Sequence, residues 1–246
     1  MRWRLGHRRS GHDPRFVVAD LHSDSLAAEA FRTLRTNLQF ALPGQPLRTV
    51  VVTGVGPDEG KTTVAGNLAA TLAQGGTRTL LVSADLRRPA VHRMFGLDND
   101  RGLTQVLLGR LTVEDALQRV ERFGLDVLAS GPIPPNPAEL LGSPSMHRFL
   151  EEVAQRWETV VLDTPPVVGL ADAALVAARA DGTLLVVTVG ITARDAAVAA
   201  RRQLIQVGAR LLGVVLNGVP PDGSSYYYYY YYYGPDGARR RRRHNQ

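Results

Sequence analysis

RTVVVTGVGPDEGKTTVAGNLAATLAQGG, residues 48–76, decides the fold. Its first seven residues run through valine and threonine without polar alternation, the pattern of a strand covered on both faces. From Lys61 onward the sequence changes to a helix-forming pattern that closes at Gly75 and Gly76. The joint, TGVGPDEGKTT (53–63), ends in Gly60-Lys61-Thr62, the close of a P-loop of pattern G-x-x-x-x-G-K-S/T. Backbone N–H groups of such a turn, at a helix N-terminus, point at phosphate oxygens and are aided by the helix dipole. Lys61 is expected to reach the β- and γ-phosphates of ATP, and the Thr62 hydroxyl to ligate Mg²⁺. Strict spacing asks for glycine at position 55, where valine stands between Gly54 and Gly56. A plain glycine-rich strand–helix turn is the competing reading. The candidate nucleotide-binding residues of this segment are Gly56, Glu59, Gly60, Lys61, Thr62 and Thr63.

Composition singles out the same lysine. The chain has 29 basic residues, and Lys61 is the one lysine among them. Where arginine is the default cation, a compact ammonium at the end of a P-loop is a chemical choice.

Outward from this segment, apolar runs alternate with helical patterns. Strands are expected at 77–85, 125–130, 158–166, 180–190 and 209–218, and helices at 25–40, with Ser25 as N-cap, and at 194–208. A short Ala-rich helix precedes residue 180. The segment 86–124 is an insertion with helices near LTQVLLG and VEDALQRV, and 130–146 is a Pro-rich loop with a helical turn at PAELL. Strands without alternation, separated by helices, predict an α/β fold: a parallel sheet with helices on both faces, of P-loop NTPase type. The expected organisation is a basic leader (1–24), one domain (25–219) and a disordered Tyr/Arg-rich tail (220–246).

Two carboxylates close strands where such sheets bind ligands. Asp163 ends ETVVLD and Asp85 follows TLLVSA. Either could merely cap the next helix; beside a P-loop, both are expected to be magnesium ligands. Asn217, after LLGVVL, is a candidate for the adenine edge or a simple cap.

The net charge of +6 lies in the tails. Residues 1–15 hold five arginines against one aspartate, and Arg239 to Arg243 add five more, which leaves 19 basic against 22 acidic residues elsewhere. Such tails suit an anionic membrane face or phosphates. No aromatic residue lies among the tail arginines to stack on bases, so nucleic acid is not an expected partner. There is no cysteine, no apolar run of membrane-spanning length and no apolar secretion signal, and a cytoplasmic location is expected. All eight tyrosines of the chain form one run: Tyr226, Tyr227, Tyr228, Tyr229, Tyr230, Tyr231, Tyr232 and Tyr233.

Together, GVGPDEGKTT, LLVSADLRRP, VVLDTPPV, GPIPPNPAELLGSPSM, GVVLNG and the C-terminal tyrosine cluster resemble the bacterial tyrosine kinases, the P-loop autokinases of capsule and exopolysaccharide synthesis. The resemblance covers about residues 25–233. It implies transfer of the ATP γ-phosphoryl group to tail tyrosines of a neighbouring subunit, with Lys61, Asp85 and Asp163 as the catalytic set. It implies a ring-like homo-oligomer contacted through Glu29, Arg32 and Arg35, which occupy about 120° of one helix face. An ordinary solvated face is the alternative for these three. It implies a membrane-spanning adaptor of the polysaccharide co-polymerase type, which would recruit the kinase to the inner face of the cell membrane. One position departs from the family: the usual D-x-D-x-R reads Ser83-x-Asp85-x-Arg87 here, and serine is no general base near neutral pH. Two other functions stay open, a nucleotide-dependent scaffold with weak or no kinase activity and a partitioning-type ATPase. The latter class carries an extra lysine early in its P-loop, where this chain has Gly56.

Overall fold

The computed structural model describes residues 25–42 and 44–219. β1 (Thr49–Gly54) is buried along its whole length and lies at the heart of the sheet. It pairs in parallel with β5 (Thr159–Asp163) on one side and β6 (Gly182–Thr188) on the other. β2 (Thr79–Ser83) and β4 (Leu125–Leu128) extend one flank, and β7 (Leu211–Asn217) the other. With β3 (Leu117–Val120) the order is β3-β4-β2-β5-β1-β6-β7.

The absence of alternation in these strands has a direct cause: neighbouring residues enter different cores. Val50 and Val52 of β1 and Val161 of β5 pack under α1 (Leu26–Gln39), α2 (Lys61–Gln74) and α3 (Val91–Phe95). Val51, Val160 and Leu162 pack on the opposite face. That layer holds α4 (Leu103–Leu107), α5 (Val113–Ala116), α6 (Pro137–Gly142), α7 (Pro144–Arg156), α8 (Asp172–Ala177) and α9 (Arg194–Gln206). Eight of the largest fully buried side chains facing it are Leu or Met, including Leu103, Leu141 and Met146, beside Trp157. Full burial of one such side chain contributes about 2 kcal/mol.

The capped helices start where their sequences dictate. Ser25 accepts the Ala28 N–H at 3.2 Å and opens α1. Ser143 accepts from Met146 N and Pro144 stands first in α7.

Six strands are parallel as expected. The seventh corrects the reading of VEDALQRV as one helix: Thr112 caps a single turn, Val113–Ala116, and LQRV then turns into an antiparallel edge strand on β4. The reason is tertiary. β4 would otherwise leave its backbone edge open, and Arg119 faces Asp126 in register with a 2.6 Å ion pair. The short α3 and the long α7 were not foreseen either; α7 begins at Pro144, within the last residues of the loop read at 130–146.

Candidate functional site

β1 delivers the chain to the carboxyl edge of the sheet, and Val55–Gly60 turns it into α2. Two residues of this turn, Asp58 (φ 56°) and Gly60 (φ 79°), have left-handed backbone. Alternation of the two hands within a few residues folds successive N–H groups inward, giving an anion-binding concavity at a helix N-terminus. Gly60 is required twice over, by its φ and because a Cβ there would run into the Asn217 amide.

Lys61, 7% exposed, bends back over the loop and donates from Nζ to Gly56 O at 2.8 Å. Burial lowers its pKa, while Asp163, Glu59, Asp85 and Asp58 pull it back up. Thr62 Oγ1 donates to Asp163 Oδ2 at 2.8 Å. Thr63 follows in the first turn of α2, partly exposed. Asp163 is completely buried, and its other oxygen, Oδ1, has no hydrogen-bond partner among the described residues. Burial pushes its pKa up to about 7, with Asp85 adding repulsion and Thr62 and Lys61 opposing it.

Ser83, the last residue of β2, lies directly opposite Asp163 in the parallel register. It is two residues beyond Leu81, as Asp163 is beyond Val161, so both side chains take the α2 face. The Ser83 hydroxyl is buried and has no partner among the described residues. Asp85 is held by the turn that follows, Oδ1 accepting the N–H groups of Arg87 (3.1 Å) and Arg88 (2.9 Å). Arg87 then donates two bonds, of 2.9 and 3.0 Å, to the fully buried Asp172 at the start of α8.

An isolated buried carboxylate oxygen, a hydroxyl on its twin and a second acid nearby fit a hard cation. Among the described residues no three His, Cys, Asp or Glu side chains form a cation cage. Such an ion would thus need phosphate and water oxygens to complete its shell, as magnesium does in nucleotide sites.

The sequence did not single out Thr188, Thr192 or Asp172. Glu59 O accepts Thr188 Oγ1 (2.8 Å) and Asn217 Nδ2 (3.1 Å), and Thr192 Oγ1 donates to Glu59 Oε1 at 2.6 Å. Asn217 is thus brought to the P-loop, with its amide nitrogen on the loop's main chain. Thr188, Thr192 and Asp172 carry no sequence signal of their own, since their partners are far away along the chain.

Glu29 and Arg32 form an exposed i,i+3 ion pair on α1. Arg35 leaves that pair and donates to Thr71 O of α2 at 3.3 Å, so the three do not act as one free face within this chain. Tyr226–Tyr233, the arginine run and the leader lie outside the described residues. No helix among the described residues is long and apolar enough to cross a membrane.

A family model for an AAA domain matches residues 54–207. Tyrosine-protein kinase YwqD of Bacillus subtilis is 43% identical over 214 residues, spanning 87% of this chain and 90% of that protein. Tyrosine-protein kinase etk of Escherichia coli K12 is 39% identical over 205 residues, 83% of this chain but 28% of that protein. The chain therefore spans nearly all of the first relative and under a third of the second. The solved kinase domain of Escherichia coli tyrosine kinase ETK superposes with a TM-score of 0.81 at 36% identity, covering 85% of this chain and 82% of that one.

Proposed function

Because this chain belongs to the bacterial tyrosine-protein kinase family, we propose that it transfers the γ-phosphoryl group of ATP to its own C-terminal tyrosines, chain to chain. The observation that carries the reading is the Lys61–Thr62–Asp163 arrangement at the mouth of the P-loop, with the orphan Asp163 oxygen beside it.

In this reading the N–H groups of Asp58 to Thr63 cradle the phosphates, and Lys61 exchanges Gly56 O for β- and γ-phosphate oxygens. Thr62 and Asp163, with Asp85, would hold Mg²⁺, which supplies charge neutralisation at the phosphates. A tyrosine Oη attacks the γ-phosphorus, the bond to the β,γ-bridging oxygen breaks, and ADP leaves with that electron pair. The phenolic proton passes to Asp85 or to water, since Ser83 cannot take it. Loose phosphoryl-transfer transition states need little help from a base, so the serine slows the kinase without abolishing it. Asn217 enters as a base-side residue whose amide nitrogen is already committed to the loop.

Residues 25–219 are proposed as the kinase domain, 1–24 as a basic leader and 220–246 as the acceptor tail. Glu29 and Arg32 are proposed to face a neighbouring subunit of a ring. A membrane-spanning adaptor of the polysaccharide co-polymerase type would bring the ring to the inner face of the membrane, with the basic tails on its anionic lipids. The output would be control of capsule or exopolysaccharide synthesis or export.

The test is incubation with γ-labelled ATP and Mg²⁺, with and without an adaptor's cytosolic segment. The expected result is label on the chain that Lys61→Met eliminates. ATP hydrolysis with no label on protein in either condition would sink the kinase reading.

A further inference from the structure

Glu59 is a carboxylate placed inside a loop built to receive anions. It is 3% exposed, and both its oxygens are taken. Oε2 accepts the N–H groups of Val55 (2.6 Å) and Gly56 (2.9 Å), and Oε1 accepts the hydroxyl of Thr192 (2.6 Å). Thr192 Oγ1 in turn accepts Thr188 N at 2.9 Å. The main-chain oxygen of Glu59 is held from the ends of two further strands, by Thr188 Oγ1 of β6 and Asn217 Nδ2 of β7. The carboxylate also lies against the end of β1: a Cβ at Gly54 would come within 2.7 Å of Oε2.

A carboxylate facing phosphate would be repelled, so direct contact with nucleotide is not the use of this side chain. Instead, we infer that Glu59 and Thr192 form a positioning unit, which fixes the entry of the P-loop and ties it to the β6–α9 loop, so that nucleotide affinity depends on a threonine far outside the motif. Hydrogen bonds to an ionised group are roughly twice as strong as neutral ones. Four elements therefore fix the peptide that precedes Gly60 and Lys61, whose N–H groups face the ligand. Donors held in place before binding lose little freedom when the phosphates arrive. This inference rests on the reading that the loop binds nucleotide phosphates.

The test measures the Kd of Mg-ATP by calorimetry on the full chain and on Thr192→Val, Thr192→Ser, Glu59→Ala and the Glu59→Ala/Thr192→Val double variant. Thr192→Val, which removes the bond to Glu59 and the acceptor of Thr188 N–H, is expected to weaken binding about three- to tenfold, since only part of the lost bonding is felt by the ligand. Thr192→Ser keeps the hydroxyl and should restore it. In the Glu59→Ala background Thr192→Val should add nothing, and Glu59→Gln, which keeps an acceptor for the two N–H groups, should fall between wild type and Glu59→Ala. In turnover assays the KM for ATP should move more than kcat. Melting curves without nucleotide report folding; if Glu59→Ala does not fold, Glu59→Gln carries the cycle. Wild-type affinity in Thr192→Val, or losses that simply add in the double variant, would overturn the brace while leaving the kinase reading intact. A wild-type chain that binds no Mg-ATP would overturn both.

Discussion

Asp163 shows how a single side chain sets the chemistry and the stability of the site together. Its folded pKa, about 7, lies above the ordinary 3.8 because burial disfavours the charged form. The folded state therefore holds this proton more tightly than the unfolded chain does. That contribution is complete below about pH 3.8 and is lost as pH rises through about 7. Asp163→Asn, which still offers an oxygen to Thr62, should raise the melting temperature of the nucleotide-free protein by about 5 °C at pH 8 and by little at pH 4. Equal shifts at both pH values would contradict the assignment. Ser83 lies beside it, and the expected effect of Ser83→Asp has two signs. A third acid near Asp163 and Asp85 should destabilise the nucleotide-free protein, while labelling with Mg²⁺ and ATP should speed up by about tenfold, below the usual range for a positioned base because a loose transition state needs little help from one. An unchanged rate would mean that position 83 does not limit transfer.

At the scale of elements, the β1–α2 joint was legible because its chemistry is local. The strand, the turn and the helix are adjacent in sequence, and the lysine is unique. Gly60→Ala should cost about 2 kcal/mol, measured by urea unfolding, because alanine is strained at φ 79° and its methyl meets Asn217. Asn217→Ala in the same chain should relieve the collision and leave the backbone cost. The carboxylates at the ends of β2 and β5 were legible for the same local reason. What could not be read was made by distance: Thr188 and Asn217 meet Glu59 across 129 and 158 residues. Arg87 meets Asp172 across 85, although the arginine itself sits in a recognisable turn. That pair gives a further expectation. Arg87→Ala leaves Asp172 buried without its cation and should cost about 2 kcal/mol, below the usual range for a buried pair because Arg87 is partly in solvent. Asp172→Asn should cost less, and a reversed order would show that the pair does not anchor the turn. β3 escaped notice because four residues of edge strand follow a capped helical turn, and only the open edge of β4 selects the extended form.

At the scale of the whole molecule, the sheet brings the P-loop, Asp85, Asp163, Glu59 and Thr192 to one edge, while the tyrosine run proposed as acceptor follows β7 in the sequence. Each tyrosine modified would add a charge of about −1.5 to −2 to a run that carries none. The five arginines that follow are a ready counter-charge. Phosphorylation should therefore weaken any hold of this tail on anionic vesicles, and flotation of the phosphorylated and unphosphorylated protein compares the two directly. Transfer between chains is tested most directly by mixing two partners. One is Lys61→Met, with its tyrosines intact; the other keeps Lys61 and has all eight tyrosines replaced by Phe. With γ-labelled ATP and Mg²⁺, the expected result is phosphotyrosine on the Lys61→Met chain in the mixture, and on neither protein alone. Label that stays on the Phe-substituted chain, or a Lys61→Met chain that remains unlabelled beside an ATP-consuming partner, would contradict transfer to the tyrosine tail.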